Sequence, residues 1–187
     1  MSKITQIRLS GFGGQGVVLA GTLLGEAGVV DGRYVAGSNS YGAQARGSGC
    51  KSEIVFSDDS IDFPHLIAAD ILIAMSQGTY DLYRRDMNPD TGVIIYDESQ
   101  VTVGDNPGVR QIAIPATECA IKDLNNKQAA NMVLLGALVE TTQVVSVEAI
   151  EKAMEKHVSE RFRKANLAAF KKGMELGQQT PGRQANG

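Results

Sequence analysis

The sequence predicts an α/β fold: a single Rossmann-like domain with a mainly parallel sheet flanked by helices. Three observations lead there. Residues 4–9 mix apolar and polar side chains as a strand does, and the Gly-rich segment Gly11-Phe12-Gly13-Gly14-Gln15-Gly16 follows at once. Residues 17–30 place Val17, Ala20, Leu23, Leu24 and Ala27 on one helical face, with a strand at 33–36 after them. Strand, glycine turn, helix and strand in that order form the opening βαβ unit of a parallel sheet. Further along, residues 71–75 and 93–96 are short apolar runs bounded by turn residues, the pattern of strands buried on both faces.

The remaining elements follow in order. Residues 38–49 are polar and Gly-rich with no periodicity, so a loop is expected, and 52–56 reads as a strand. Residues 79–87 are expected to be helical up to Asn88-Pro89, because the residue before a proline disfavours helix. The last strand is placed at 111–114, with Thr117 as the cap of a short helix to Leu124. Apolar residues nearly encircle 127–141, which predicts a well-buried helix. Ser146 is a candidate cap for a helix to His157, and 163–177 forms a final amphipathic helix. Residues 1–177 are therefore taken as one domain, and the polar stretch 178–187 as a disordered tail.

Composition narrows the function. A chain of 187 residues can bury its own core. The net charge of −3 and the absence of Trp give neither the basic patch nor the stacking platform that nucleic acid requires. Met1-Ser2-Lys3-Ile4 lacks the apolar run of a signal peptide, and no apolar stretch is long enough for a membrane span, so a cytoplasmic location is expected. Cys50 and Cys119 stand alone, without the paired spacing of a zinc or iron–sulfur ligand set, and are expected to be buried apolar residues. His65 and His157 are read as surface residues and Asp58-Asp59 as a turn.

Gly11, Gly13 and Gly16 match GxGxxG between a strand and a helix, where backbone N–H groups and the helix dipole favour a phosphate. An NAD site would place an acidic residue about 20 residues on, at the end of the second strand. Here that strand ends at Ala36-Gly37-Ser38-Asn39, and Asp31 lies at its wrong end. The pattern disfavours an NAD(P) enzyme and leaves open a phosphate-binding loop or a structural turn.

Gly13-Gly14-Gln15-Gly16-Val17, followed by Ser40-Tyr41-Gly42-Ala43-Gln44-Ala45-Arg46-Gly47, resembles the paired loops of the gamma subunits of 2-oxoacid:ferredoxin oxidoreductases. Asn131-Met132 opening a helix that contains Gly136, and Asn166 followed by Ala169-Phe170, resemble later landmarks of the same family. Ala43, Gln44 and Ala45 stand where that family commonly has Pro-Glu-Met, and Ser48 where it has a second Gly; these departures resemble the 2-oxoglutarate branch more than the pyruvate branch. The resemblance implies a subunit that is not active alone, in a complex that converts a 2-oxoacid, coenzyme A and ferredoxin into acyl-CoA, CO2 and reduced ferredoxin. It also implies alpha, beta and delta partner subunits, with thiamine diphosphate and Mg between alpha and beta and iron–sulfur clusters on beta and delta. For this chain it implies coenzyme A contacts from Gly11, Gly13, Gly14, Gln15, Gly16, Arg46 and Asn131, with no catalytic or metal-binding residue. Alternatives are the pyruvate or another 2-oxoacid branch, or a scaffold that does not touch coenzyme A; a subunit isolated from its partners could in addition self-associate through exposed interface surface.

Overall fold

The computed structural model describes residues 4–41 and 49–180. Among these described residues, six strands form one sheet in the order β2-β3-β1-β4-β5-β6, where β1 is Ile4–Phe12, β2 Tyr34–Tyr41, β3 Gly49–Ser57, β4 Ile71–Ala74, β5 Val93–Asp97 and β6 Arg110–Ile114. β1, β4, β5 and β6 pair in parallel, whereas β3 runs antiparallel to both β1 and β2. The mainly parallel sheet is thus present with one reversed strand in it. That strand corrects the expected opening unit: β1 and β2 point the same way but are not neighbours, because β3 lies between them.

The helices are α1 Val17–Val30, α2 Gln77–Tyr83, α3 Ala116–Lys122, α4 Ala130–Thr142, α5 Val147–His157 and α6 Glu160–Gln179. None among the described residues is long and apolar enough to cross a membrane. α1 keeps its expected bounds and buries Val17, Ala20, Leu23, Leu24 and Ala27. It lies close on β3 because Gly21 and Gly28 leave room there; a Cβ would overlap Ser52 at the first and the Phe56 ring at the second. Ser146 caps α5, its hydroxyl accepting from the Ala149 N–H at 3.2 Å. Asp31, at the carboxyl end of α1, accepts from the Ser146 N–H and hydroxyl and ties the two helices together.

Alternation in the central strands builds two cores. Ile71, Ile73, Ile95, Ile112 and Ile114 join the helices α1 and α3 to α6, and Leu72, Ala74, Ile94 and Tyr96 pack with Tyr80 of α2 on the other face. Asn131 through Val139 of α4 are all buried, as the apolar encirclement of this segment predicts. Each fully buried Leu or Ile contributes about 1.5–3 kcal/mol relative to an exposed one. Cys50 and Cys119 are buried free thiols, and desolvation pushes the Cys119 thiol up to about 11.

Several boundaries differ from the sequence reading. β3 starts at Gly49 rather than at 52, and α6 runs from Glu160 to Gln179, so Gln178 and Gln179 are helical instead of belonging to a disordered tail. Residues 38–41 belong to β2 rather than to a loop, because β3 supplies the backbone partners that Gly, Ser and Asn do not favour by themselves. The helix expected over 79–87 closes at Tyr83 and continues as a 3-10 turn, Arg84–Asp86. Lys127–Ala129 is likewise a 3-10 turn ahead of α4, opened by the Asn126 side chain accepting from the Gln128 N–H.

Candidate functional site

β1 ends at Phe12 and α1 begins at Val17, so Gly13 to Gly16 form the connecting turn. From this point the chain crosses through α1 to β2, while β4, β5 and β6 extend the sheet on the other side of β1. The carboxyl ends of β1 and β4 are therefore a topological switch point, where open α/β sheets bind their ligands.

Close packing and open space alternate along the turn. Gly11 permits a tight approach, since a Cβ there would meet Gln15 Oε1 at 2.6 Å and Met75 Cβ at 3.0 Å. Gln15 spans the gap between strands: its Oε1 accepts from the Phe12 N–H at 2.6 Å, and its Nε2 donates to the Met75 carbonyl at 3.0 Å. Both ends of the Gln15 amide are thus engaged within the protein. Gly13 and Gly14 differ, for a Cβ at either would meet no atom of another described residue within 4 Å, its chain neighbours aside. Gly14 (φ +93) and Gly16 (φ +73) occupy the left-handed region that favours glycine. Among the described residues no side chain caps the first turn of α1, whose N–H groups have no partner within the helix.

Asn131, at the second position of α4, is buried and donates from Nδ2 to the Gly16 carbonyl at 3.1 Å. Its Oδ1 accepts from the Met132 N–H at 2.9 Å. A Cβ on Gly16 would overlap the Asn131 amide. The structure therefore brings Gly11, Gly13, Gly14, Gln15, Gly16 and Asn131 into one place. Arg46 lies outside the described residues.

Two clefts flank the turn. One, of 540 Å³, runs from Phe12 and Gly13 past Met75 to Asp97, Thr117 and Lys127. The other, of 500 Å³, runs from Gly14 and Gly16 past Asn131 to His157 and Phe162. Asp97, Thr117 and Lys127 are site residues that sequence reasoning missed. Asp97 is buried at the carboxyl end of β5, and its Oδ1 accepts from the Ser99 N–H and hydroxyl at 3.2 and 3.0 Å. Its Oδ2 accepts from the Thr117 N–H, at 3.1 Å, and from the Thr117 hydroxyl. This corrects the expected role of Thr117: it lies inside α3, and Asp97, reaching over from β5, supplies the cap. The available signal was Asp97 directly after the apolar run 93–96, at the strand end where α/β folds place their sites.

His157 is held by Glu26 at 3.1 Å and Glu26 in turn by Lys156, so the Glu26 carboxyl is held below its ordinary range by hydrogen bonds from Lys156 and His157. Among the described residues, no three His, Cys, Asp or Glu side chains group in a way that could hold a metal ion.

An open glycine turn at a switch point, braced from below by Gln15 and Asn131, is the arrangement to compare with known proteins. The family model for pyruvate ferredoxin/flavodoxin oxidoreductase matches residues 6–176. The chain belongs to this family. Within it, the chain is 44% identical to the 2-oxoglutarate synthase subunit KorC of Methanocaldococcus jannaschii over 174 residues, 91% of this chain and 92% of that protein. It is 27% identical to the pyruvate synthase subunit PorC of Thermotoga maritima over 184 residues, 94% of this chain and 93% of that protein. The crystal structure of a keto/oxoacid ferredoxin oxidoreductase gamma subunit from Geobacter sulfurreducens has the same fold, with a TM-score of 0.82 at 38% identity, covering 94% of this chain and 99% of that one.

Proposed function

We propose that this member of the family is the gamma subunit of a thiamine-dependent 2-oxoglutarate:ferredoxin oxidoreductase, and that its glycine turn contacts coenzyme A. The complex would convert 2-oxoglutarate, coenzyme A and oxidised ferredoxin into succinyl-CoA, CO2 and reduced ferredoxin. Decarboxylation leaves an electron pair that passes to ferredoxin, and the thiol of coenzyme A loses its proton as the thioester forms. Thiamine diphosphate and Mg on the alpha and beta subunits would supply the decarboxylating chemistry, and iron–sulfur clusters on beta and delta would carry the electrons.

The choice of branch is supported by identity, 44% to a protein named 2-oxoglutarate synthase against 27% to one named pyruvate synthase. The coenzyme A role is carried by one observation: Gly13 and Gly14 border open space at the mouth of an uncapped helix. Backbone N–H groups and the helix dipole attract phosphate at such a place. Lys127, lining the adjoining cleft, adds a cation, and Arg46 would add a guanidinium suited to paired phosphate contacts. Asn131 and Gln15 act beneath the turn, holding the carbonyl and the strand end that set its shape.

The test uses the assembled complex with Gly13→Asp in this chain, which adds a negative charge where a side chain has room. The KM for coenzyme A is expected to rise about tenfold or more, with the KM for 2-oxoglutarate unchanged. An unaltered KM for coenzyme A would remove the coenzyme A role and leave a docking subunit. Assaying the same complex with pyruvate in place of 2-oxoglutarate tests the branch; equal or faster turnover of pyruvate would reject it.

A further inference from the structure

Two clefts meet over the glycine turn, for Gly14 and Gln128 border both. Their volumes, 540 and 500 Å³, are those of small-molecule sites, typically about 300–1,000 Å³. Their walls differ in chemistry. The cleft toward β4 and β5 has Met75, Ala130 and Leu134 in its wall, and its Gln15 amide is engaged at both ends. The cleft toward α5 and α6 holds Phe162, Asn166 and Asn126. Phe162, in the first turn of α6, is 54% exposed and belongs to neither core. Asn166 donates from Nδ2 to the Phe162 carbonyl at 2.9 Å, which leaves its Oδ1 as an acceptor. Asn126 accepts with Oδ1 from the Gln128 N–H at 3.2 Å, which leaves its Nδ2 as a donor.

An exposed aromatic ring sharing a cleft with an acceptor and a donor matches an adenine base. The base stacks on the ring, its amino group donates and its ring nitrogen accepts. We infer that the cleft toward α5 and α6 receives the adenosine end of coenzyme A, with adenine stacked on Phe162 and its edge read by Asn166 and Asn126. This inference rests on the coenzyme A reading of the turn. In that molecule the pyrophosphate stands between the adenosine and the pantetheine arm, so phosphates held at Gly13 and Gly14 send one end into each cleft. The arm is largely aliphatic and suits the wall of Met75, Ala130 and Leu134. Arg161 stands 5.2 Å from the centre of the Phe162 ring without lining the cleft. It supplies a cation at the rim for the 3′-phosphate carried on the ribose.

The test uses the assembled complex, with adenosine 3′,5′-bisphosphate as a competitor of coenzyme A and two variants at Phe162. Phe162→Ala is expected to raise both the inhibition constant of the bisphosphate and the KM for coenzyme A about tenfold, with the KM for 2-oxoglutarate unchanged. Phe162→Tyr keeps the ring and is expected to bind both nearly as the unaltered complex does. A bisphosphate that does not compete, or one whose inhibition constant is the same in Phe162→Ala, would overturn the assignment. So would a Phe162→Tyr complex as weak as Phe162→Ala, since that points to a packing role. The Gly13→Asp complex separates this inference from the reading beneath it. If Gly13→Asp raises the KM for coenzyme A and Phe162→Ala does not, only the adenosine placement falls; if neither does, the coenzyme A role falls with it.

Discussion

The turn between β1 and α1 and the seam between α4 and α6 both depend on glycine, for opposite reasons. At the turn, Gly13 and Gly14 clear a space that no other described residue enters. At the seam, Gly136 of α4 admits the backbone of α6 at Phe170, and Gly173 of α6 admits the backbone of α4 at Val133. One glycine on each helix receives the other, so the two backbones meet without side chains between them. Space left empty is available to a ligand, whereas space filled by backbone is part of the core. The same residue type therefore marks a binding surface in one region and a packing contact in the other, and only its neighbours distinguish them.

Three substitutions probe that contrast. The largest effect is expected from Gly173→Ala, whose methyl would overlap the Val133 carbonyl and force α4 and α6 apart. Overpacking against backbone is expected to cost about 3 kcal/mol or more, read as a loss of stability in denaturant unfolding. A loss below 1 kcal/mol, on the order of an ordinary surface change, would mean that the seam yields easily and the contrast is weaker than drawn. Gly16→Ala is intermediate, because the turn meets the core there. A left-handed φ on alanine costs about 1–2 kcal/mol, and the new methyl also displaces the Asn131 amide. Part of that loss should vanish when Asn131→Ala is already present, which a double-mutant cycle measures. The smallest change is expected from Gly13→Ala, at most about 0.5 kcal/mol in thermal unfolding, since no other described residue comes within 4 Å of the added methyl. A destabilisation as large as that of Gly173→Ala would show the turn to be packed rather than open.

Much of the site was legible along the chain. The turn residues Gly11 to Gly16 were placed between a strand and a helix by their spacing, and Asn131 by its position at the start of a buried helix. Their distinct duties were not legible. Gln15 looks like a ligand-facing amide in a glycine loop, yet both its polar ends hold the turn to the Met75 carbonyl and the Phe12 N–H. The pairing of Asp97 with Thr117 is not legible, because they lie 20 residues apart, on a strand end and inside a helix, and meet only when β5 and α3 are in place. Residues 38–41 carry no strand periodicity and are rich in polar residues and Gly, as a loop is; the ladder to β3 outweighs that local pattern.

Local chemistry suffices for the helices, the apolar strands and the glycine turn, since helical period, buried runs and φ preferences act over a few residues. It is also enough for the family, whose landmarks are short motifs in a set order. The position of β3 between β1 and β2, the exposure of β2 as an edge and the division of glycines into open and packed depend on which backbones approach one another. That is set by pairing and packing between residues far apart in the chain, and no local pattern encodes it.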